Sequence, residues 1–302
     1  MNILIIGGAG FVGSHLAARL SAAGHNVLVP TRRRERAKHL IVLPTVTVVE
    51  TDVFDEAQLA KLVHKQDAVI NLVGVLQGGN GDPYGAGFAH AHVELPKKIV
   101  HAVQNGGVPR LLHMSALGAD ARGPSAYLRS KADGEAAVFA VSPEVGVTVF
   151  RPSVVFGRGD SFLTLFARLL QRFPILPLAC ADARFQPVWV EDVTAAFCAC
   201  LPRRETFGHT YDLCGPRVYT LRELVAYAGK ISGHPRPIIG LSPTLAYLQA
   251  WAMEFLPGAP LTRDNLRSMQ VPSVCGDDCR LPFELSATPL ETVAPSYLAQ
   301  PA

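Results

Sequence analysis

Short apolar runs alternate with helix-like segments along the first half of the chain. Runs without polar alternation are typical of strands that are buried on both faces of a parallel sheet. Six such runs predict strands over 3–6, 27–29, 46–49, 68–73, 110–114 and 147–150. The segments between them predict helices over 11–22, 56–63 (capped by Asp55), 91–104 and 126–141. Strands that alternate with helices indicate an α/β fold, a doubly wound parallel sheet with right-handed crossovers.

The alternation of strands and helices becomes less regular in the second half of the chain, where prolines are frequent. Thr220-Leu-Arg-Glu223 has the spacing of a capping box and predicts a helix that ends near Gly233. We expect two domains, with residues 1–155 forming the strand-rich domain and residues 156–302 forming mainly a smaller, mostly helical lobe. This lobe covers the carboxyl ends of the strands, and its residues 186–215 are expected to return to the main sheet.

A further apolar helix is predicted over 243–255, with Trp251 and Phe255 on or near its apolar side. Two roles fit this helix. It could pack within the smaller lobe, or it could lie on a membrane or reach a quinone pocket.

The stretch Gly7-Gly-Ala-Gly10-Phe-Val-Gly13 lies between the first strand and the first helix. Gly7 permits a tight turn, Gly10 lets the backbone approach a pyrophosphate, and Gly13 lets the helix pack against the sheet. The free N–H groups at the start of the helix, those of Phe11 and Val12 included, then face the phosphates at the positive end of the helix dipole. This arrangement predicts a Rossmann-type site that binds a nicotinamide dinucleotide or a related one.

The end of the second strand indicates which dinucleotide is bound. Sites for NAD usually carry Asp or Glu there, bonded to the ribose 2′-hydroxyl, whereas this chain has Arg32 and Arg33 and no carboxylate. A guanidinium binds phosphate through two hydrogen bonds, so these arginines fit a 2′-phosphate. NADP(H) is therefore favoured, with NAD(H) as the alternative, while Arg34 and Arg36 fit a solvated loop equally well.

Two further positions are candidates for contact with the cofactor. Asp52, directly after the third strand, could accept a hydrogen bond from the adenine amino group, or it could be an ordinary cap of a turn or helix. Gly74, after the fourth strand, lies where the chain must pass close to the cofactor.

Ser115, Tyr127 and Lys131 form the candidate catalytic set. Ser115 follows the fifth strand, while Tyr127 and Lys131 are four residues apart on the next predicted helix and so share one face. A tyrosine hydroxyl has an ordinary pKa of about 10. A neighbouring ammonium favours the phenolate, so we expect Lys131 to lower the pKa of Tyr127. Ser115 would polarise the oxygen of a substrate, and Lys131 could also bond the nicotinamide ribose.

The motifs together resemble those of extended or atypical short-chain dehydrogenases/reductases, which include NAD-dependent epimerases and dehydratases. The matching stretches, in order, are 7–13, Asp52-Val53, Asn71-Leu-Val-Gly74, Ser115, Tyr127-Leu-Arg-Ser-Lys131, Phe150-Arg-Pro152-Ser-Val154-Val-Phe-Gly157 and Pro187-Val-Trp-Val-Glu-Asp-Val193. The resemblance implies that Val53, Tyr127 and Lys131 also contact the cofactor, and that Pro152 and Val154 line its nicotinamide side.

A narrower resemblance is to bacterial relatives of the NADPH-holding accessory subunit of respiratory complex I. It rests on Ser115-Ala-Leu-Gly-Ala-Asp120, on residues 127–132, and on Leu261-Thr-Arg-Asp-Asn-Leu-Arg-Ser-Met269 with Ala294-Pro-Ser-Tyr297. The resemblance implies an accessory or assembly protein that holds NADP(H) and docks on complex I or at the membrane periphery. The alternative is an active NADPH-dependent oxidoreductase, epimerase or dehydratase acting on a carbonyl, quinone or sugar nucleotide.

Composition and charge narrow the possible partners, the state of the cysteines and the location of the protein. A net charge of +3 over 302 residues argues against nucleic acid as a partner. The six cysteines show no paired framework and no zinc-binding spacing, so reduced thiols and no metal site are expected. No signal peptide is recognisable, and no apolar run reaches the roughly 18–20 residues of a spanning helix. We therefore expect a cytoplasmic protein, at most peripheral on the inner face of the cytoplasmic membrane.

Overall fold

The computed structural model describes residues 1–79, 81–256, 258–276 and 280–299. Its strands are Asn2–Ile6 (β1), Asn26–Thr31 (β2), Val46–Glu50 (β3), Ala68–Asn71 (β4), Arg110–Met114 (β5), Gly146–Pro152 (β6), Val155–Phe156 (β7), Leu176–Leu178 (β8), Arg184–Phe185 (β9), Val188–Trp189 (β10), His209–Leu213 (β11), Tyr219–Thr220 (β12) and Ile238–Gly240 (β13). Seven of them form one sheet in the order β11-β6-β5-β4-β1-β2-β3, and every pairing in it is parallel.

The helices follow the strands in the order of a doubly wound fold. They are Phe11–Ala22 (α1), Glu56–Val63 (α2), Ala86–Phe88 (α3), Leu95–Gly106 (α4), Ala126–Phe139 (α5), Phe162–Arg172 (α6), Val190–Cys200 (α7), Leu221–Ile231 (α8), Pro243–Met253 (α9), Arg263–Ser268 (α10), Leu290–Val293 (α11) and Pro295–Leu298 (α12). Short 3₁₀ helices span Arg34–Leu40 and Arg204–Thr206, and a π-helical turn spans Ala89–Glu94. The predicted Rossmann-type sheet is confirmed.

Strand β1 shows why the sheet is covered on both faces. Ile3 and Ile5 join a core formed with α1 and α7, whereas Leu4 and Ile6 join a second core formed with α2, α4 and α5. All four side chains are fully buried. Because successive side chains of a strand point to opposite faces, an uninterrupted apolar run can be buried only between two layers of helices.

The smaller, helical part of the chain has apolar clusters of its own. Helices α6, α8, α11 and α12 meet around Phe156, Leu224 and Leu290, while β8 and β13 pair beside α8. Strand β11 leaves this region and lies beside β6 at the edge of the main sheet. The predicted capping box at Thr220 and Glu223 is confirmed, since both reciprocal hydrogen bonds are present.

The helix predicted over 91–104 differs from the observed one. The helical path already begins at Ala86, widens into the π-turn and continues as α4 to Gly106. Pro96 at the start of α4 has no N–H to donate to the carbonyl of His92, four residues earlier, which favours widening at this point. The carbonyl of His92 also packs tightly on α5, where a Cβ on Gly134 would come within 2.2 Å of it.

The prediction of unpaired cysteines is wrong. Cys214 and Cys275 form a disulfide, with Cα atoms 6.2 Å apart. They are 61 residues apart in sequence and meet only because the chain returns to the end of β11. No local spacing could have revealed this pair, whereas Cys180, Cys198 and Cys200 are free.

Helix α9 presents its large apolar side chains to solvent. Ala246 and Ala250 face inward, whereas Leu248, Trp251 and Phe255 are 55%, 46% and 74% exposed. The helix therefore buries small apolar residues against the lobe, while Gln249 donates to the carbonyl of Pro177 and Tyr247 accepts from Arg263.

Ion pairs of Glu191 with His15 and Arg19, which we refer to as the charged clasp, join α1 to α7. Glu191, at the start of α7, accepts hydrogen bonds from His15 Nδ1 at 2.6 Å and from Arg19 Nη2 at 2.8 Å. The other ring nitrogen of His15 lies 3.0 Å from the carbonyl of Arg158. Since both partners of the ring are acceptors, the charged imidazolium is favoured and the pKa of His15 is raised, chiefly by its bond to Glu191. The bond to His15, with Arg19 also contributing, lowers the pKa of Glu191 to about 2.

We expect Glu191→Gln to lower the free energy of unfolding by about 1 kcal/mol near pH 5.5, and by less near pH 8.5. A raised pKa in the folded state means that the contribution of His15 is fully present below its unfolded pKa and lost as the pH rises through the folded value. Urea denaturation at both pH values measures the difference. The exposed pair of Arg203 and Glu205 supplies the control, because Glu205→Gln should have little effect at either pH. If Glu191→Gln lowers the free energy of unfolding by the same amount at both pH values, the charged clasp is contradicted.

Candidate cofactor and active site

A cleft of about 580 Å³ opens at the carboxyl ends of β1, β2, β3 and β4. Its lining residues are Gly7, Ala9, Gly10, Pro30, Thr31, Arg32, Arg33, Arg36, Thr51, Val53, Phe54, Leu72, Val73, Gly74 and Val75. Six of the residues predicted to bind a cofactor are thus brought together on one cleft, namely Gly7, Gly10, Arg32, Arg33, Val53 and Gly74.

The glycine loop has the geometry of a phosphate-binding turn. Gly7 has a φ of +87°, a conformation that other residues rarely adopt. A Cβ on Gly13 would come within 2.3 Å of the Gly7 carbonyl, so only glycine lets α1 start this close to the turn. Helix α1 begins at Phe11 without a side-chain cap and without an acidic residue in its first turn. The positive end of its dipole is therefore available to an anion.

Three arginines lie at the end of the cleft near β2. Arg33 precedes the 3₁₀ helix and Arg36 lies three residues later, a spacing that places both on one side of a 3₁₀ helix. Arg36 lines the cleft with Arg32 and Arg33. The sequence left open whether Arg36 faces a phosphate or only a solvated loop, because the 3₁₀ helix was not predicted.

Asp52 takes part in a local turn. Its Oδ1 accepts a hydrogen bond of 3.1 Å from the backbone N–H of Phe54, as the turn-cap alternative predicts. Phe54, which sequence reasoning missed, lines the cleft and stacks on the ring of His90 at a centroid distance of 3.7 Å. The role of Asp52 toward adenine stays a prediction.

Ser115 and Lys131 converge on the end of β5. Lys131 Nζ donates a 2.8 Å hydrogen bond to the carbonyl of Met114, the residue before Ser115. A Cβ on Gly74 would lie 4.0 Å from the same Nζ, so the ammonium sits between the loops that follow β4 and β5. Ser115 Oγ is buried and has no hydrogen-bond partner among the described residues. A buried hydroxyl without a partner is costly, which marks this atom as one that a ligand could bond.

Burial reverses the expected titration of Tyr127. Desolvation raises the pKa of Tyr127 to about 12, whereas we predicted that Lys131 would lower it. Desolvation also lowers the pKa of Lys131 to about 8, so its ammonium remains mostly protonated at pH 7. The tyrosine ring packs against Phe88 and His92, at centroid distances of 6.1 and 5.7 Å. The hydroxyl is therefore protonated in this arrangement.

The predicted nicotinamide side is built from β6 and the loop after β5. Leu117 donates its N–H to the carbonyl of Pro152 at 3.0 Å, and Val188 donates to Val154 at 3.0 Å. Pro152 is therefore held beside the Ser115 loop. The other residues predicted to bind the cofactor do not line the cleft described above. They are Phe11, Val12, Gly13, Asp52, Tyr127, Lys131, Pro152 and Val154. The cleft thus includes the glycine loop and the arginines after β2 but is not lined by Tyr127.

Two buried histidines behind the site were not anticipated. His92 accepts the N–H of Val75 at Nε2 and bonds Ser130 Oγ through Nδ1 at 2.8 Å. It thereby connects the loop after β4 to the helix that carries Tyr127. Burial lowers the pKa of His92 to about 3, so the ring is neutral. His113 is also kept neutral by burial and contacts the amide of Asn71 at 3.1 Å.

The profile of the NAD dependent epimerase/dehydratase family matches residues 3–214. This chain belongs to that family. The match includes the glycine loop, the arginines after β2 and the Ser115, Tyr127 and Lys131 set. The family assignment agrees with the resemblance seen in the motifs.

Individual relatives show the same likeness. The chain is 34% identical over 227 residues to NADH dehydrogenase [ubiquinone] 1 alpha subcomplex subunit 9, mitochondrial, of Arabidopsis thaliana, with 73% of this chain and 55% of that protein covered. Its identity to the Mus musculus protein of the same name is 30% over 301 residues, covering 95% and 77%. The chain therefore spans little more than half of the plant subunit and about three quarters of the mouse one.

A solved structure agrees with the fold. UDP-Glucuronic acid 4-epimerase from Bacillus cereus superposes with a TM-score of 0.69 at 18% identity, covering 91% of this chain and 95% of the epimerase. At that identity the comparison supports the fold alone.

The expected cytoplasmic location is contradicted by these comparisons, because the two relatives described above are mitochondrial proteins. Within the described residues, no helix combines the length and apolar character needed to cross a bilayer.

We expect Ser115→Ala to leave the free energy of unfolding within about 0.5 kcal/mol of the wild type, or to raise it, because the hydroxyl has no partner to lose. Ser125→Ala is the matched control, since Ser125 caps α5 by accepting the N–H of Leu128. Its loss should cost about 1 kcal/mol. Chemical denaturation of both variants measures this. An equal loss for the two would show that the Ser115 hydroxyl has a structural partner.

Proposed function

We propose that this protein binds NADP(H) and holds it tightly as an accessory protein. The observation that carries the proposal is the end of the cleft, where Arg32, Arg33 and Arg36 meet and where the described lining residues include no carboxylate. Three guanidinium groups fit the doubly charged 2′-phosphate of NADP(H) and offer no acceptor for a free 2′-hydroxyl.

The remaining residues fit the other parts of the cofactor. The uncapped start of α1, behind Gly7 and Gly10, suits the pyrophosphate. Val53 and Phe54 provide an apolar wall for adenine. Ser115 Oγ and Lys131 Nζ lie at the end of the sheet where the nicotinamide ribose would be bound.

Bound NADP(H) supplies a hydride donor or acceptor at its nicotinamide ring. The side chains of this protein would then orient a substrate and polarise its oxygen. Ser115 would donate a hydrogen bond to a substrate oxygen, and Tyr127 would hold a proton on its hydroxyl. Because burial raises the pKa of Tyr127 to about 12, this proton is retained in the closed site. A raised pKa makes the hydroxyl a weaker acid, which disfavours transfer of its proton to a substrate.

NADPH is expected to raise the melting temperature of the protein more than NADH does. Replacing Arg33 and Arg36 together by Gln should weaken NADPH binding by about 10- to 100-fold and leave NADH binding nearly unchanged, because charge-assisted bonds to the 2′-phosphate are lost. Calorimetry and thermal shift measure both cofactors. Arg34→Gln is the control, since the Arg34 N–H bonds Glu50 and the residue is not among those lining the cleft. Equal shifts with NADPH and NADH would refute the assignment.

We also propose that the protein docks on respiratory complex I. Two relatives at 34% and 30% identity are named as subunits of NADH dehydrogenase [ubiquinone]. The exposed side chains of Leu248 and Trp251 on α9, with Phe255 just after the helix, form an apolar surface that a protein partner would cover. Co-purification with complex I from gently solubilised membranes should be reduced at least about tenfold by Leu248→Glu, because a buried charge opposes docking.

Val42→Glu is the matched control for docking, because Val42 is 81% exposed and lies in the loop before β3, far from α9 in the sequence. This variant should co-purify like the wild type. If the wild-type protein does not co-purify with complex I, the docking proposal fails while NADP(H) binding can still hold.

An active oxidoreductase is the second candidate, favoured by the unpartnered hydroxyl of Ser115. We expect Tyr127→Phe to preserve NADPH binding and to abolish any substrate-dependent NADPH oxidation, since only the hydroxyl is removed. Absorbance at the NADPH band, with a panel of carbonyls, quinones and sugar nucleotides, measures this. Absence of turnover by the wild type on the whole panel would count against the enzyme and for the accessory role.

A further inference from the structure

Residues 258–276 cross the carboxyl edge of the sheet, and we refer to this segment as the strap. At its start, Gln77 Nε2, in the loop after β4, donates to the carbonyls of Gly258 and Ala259, both at 2.6 Å. Further along, Val271 lies against the loop after β5, where a Cβ on Gly118 would be 3.4 Å from its Cγ1. The strap therefore follows the same edge at which the candidate site is built.

The middle of the strap holds the start of the active-site helix. Asp264 Oδ1 accepts the N–H of Ala126 at 2.8 Å, and its Oδ2 accepts the N–H of Tyr127 at 3.0 Å. Both are unpaired donors of the first turn of α5, and a carboxylate there also complements the helix dipole. Asp264 is thus tied to the backbone of Tyr127 itself.

The far end of the strap is attached beyond β6. Ser273 accepts a 2.8 Å hydrogen bond from Ser153 Oγ at its carbonyl, and Gln186 bonds the N–H of Cys275 at 2.9 Å. Cys275 is then joined covalently to Cys214, directly after β11. Hydrogen bonds at three places and one disulfide fasten the strap across the edge.

The residues beneath the strap are closed off. Ser115 is 4% exposed, and Lys131 is 3% exposed. Neither residue lines the cofactor cleft, whereas Tyr127 is partly exposed. A substrate can reach Ser115 only if a covering segment moves.

We propose that the strap closes the tyrosine end of the cofactor site, that Asp264 is the positioning residue for Tyr127, and that reduction of the Cys214–Cys275 disulfide releases the strap. The inference rests on the proposed function only for the identity of the site that is closed.

Cys214 and Cys275 are 3% and 8% exposed, and Cys275 borders a cavity that a small reductant could enter. Cys275 lines a second cavity of about 490 Å³, together with Arg184 and Arg280. The reductant is a dithiol, and its thiolate attacks one sulfur of the disulfide. The S–S bond breaks, two electrons pass to the protein, and Cys214 and Cys275 become thiols while the dithiol closes to its own disulfide. The two arginines favour the thiolate form of a released cysteine.

Hydrogen exchange of the full chain, read by mass spectrometry, tests the proposal. Treatment with a dithiol should raise the exchange rates of residues 270–276 and of the first turn of α5 by about tenfold or more. The double variant Cys214→Ser, Cys275→Ser should show those rates without the dithiol and should not respond to it. Cys198→Ser is the control, because Cys198 is a free thiol and this variant should respond like the wild type.

Asp264→Asn tests the positioning role with the disulfide intact. An amide offers one acceptor and turns an N–H₂ toward the second backbone donor, so the first turn of α5 should exchange about tenfold faster. Tyr127 should also be acetylated faster by N-acetylimidazole, measured relative to the exposed Tyr247. Asp55→Asn is matched to it, since Asp55 accepts the N–H groups of Ala57 and Gln58 and caps α2. That variant should loosen α2 and leave Tyr127 protected.

Three results would overturn the proposal. One is free thiols at Cys214 and Cys275 in the protein kept under oxidising conditions. Another is a reduced protein, verified by alkylation of both cysteines, that keeps the oxidised exchange pattern. The third is wild-type protection of Tyr127 in Asp264→Asn. NADPH affinity is measured on the same samples, so a protein whose strap responds but which binds no NADPH refutes the proposed function alone.

Discussion

Burial of the central strands on both faces is the constraint on which the rest of this structure depends. In β1, Ile3 and Ile5 enter one core while Leu4 and Ile6 enter the other, so a shift by one residue would exchange the two sets. All strands of the sheet run parallel, and their carboxyl ends therefore meet at one edge. The parallel strands bring three features to this edge, namely the turn at Gly7, the loop at Gly74 and the hydroxyl of Ser115. These features do not bond one another.

Local patterns predicted the features that depend on residues close together in the chain. The sheet strands, the glycine loop and the cap at Asp55 are of this kind, since each needs only a short run of suitable residues. Features that join distant segments left no local signal. Asp264 bonds Ala126 across 138 residues, and the disulfide closes a separation of 61. The pKa of Tyr127 also escaped prediction, because desolvation depends on which segments cover the ring.

Helix α9 shows how an apolar pattern can mislead even when the helix is predicted correctly. Apolar residues cover almost its whole circumference, and such helices are usually buried on all sides. In this structure the buried side chains of the helix are those of Ala246 and Ala250, so the helix lies close to the lobe while Leu248 and Trp251 remain exposed. Steric fit selects the inward face here, since alanines let the backbone approach while Trp251 would hold it away.

Closure of the site and readiness for proton transfer oppose each other in this chain. Excluding water strengthens the hydrogen bonds that hold Lys131 on Met114, yet the same desolvation raises the pKa of Tyr127 and lowers that of Lys131. Both shifts favour the neutral form of each side chain, although a pKa of about 8 leaves Lys131 mostly protonated at pH 7. A ligand oxygen bonded to Ser115, or water admitted beneath the strap, would change the solvation of both groups at once. Because Asp264 bonds the backbone of Tyr127, the strap also helps to set the position of the residue whose pKa burial raises.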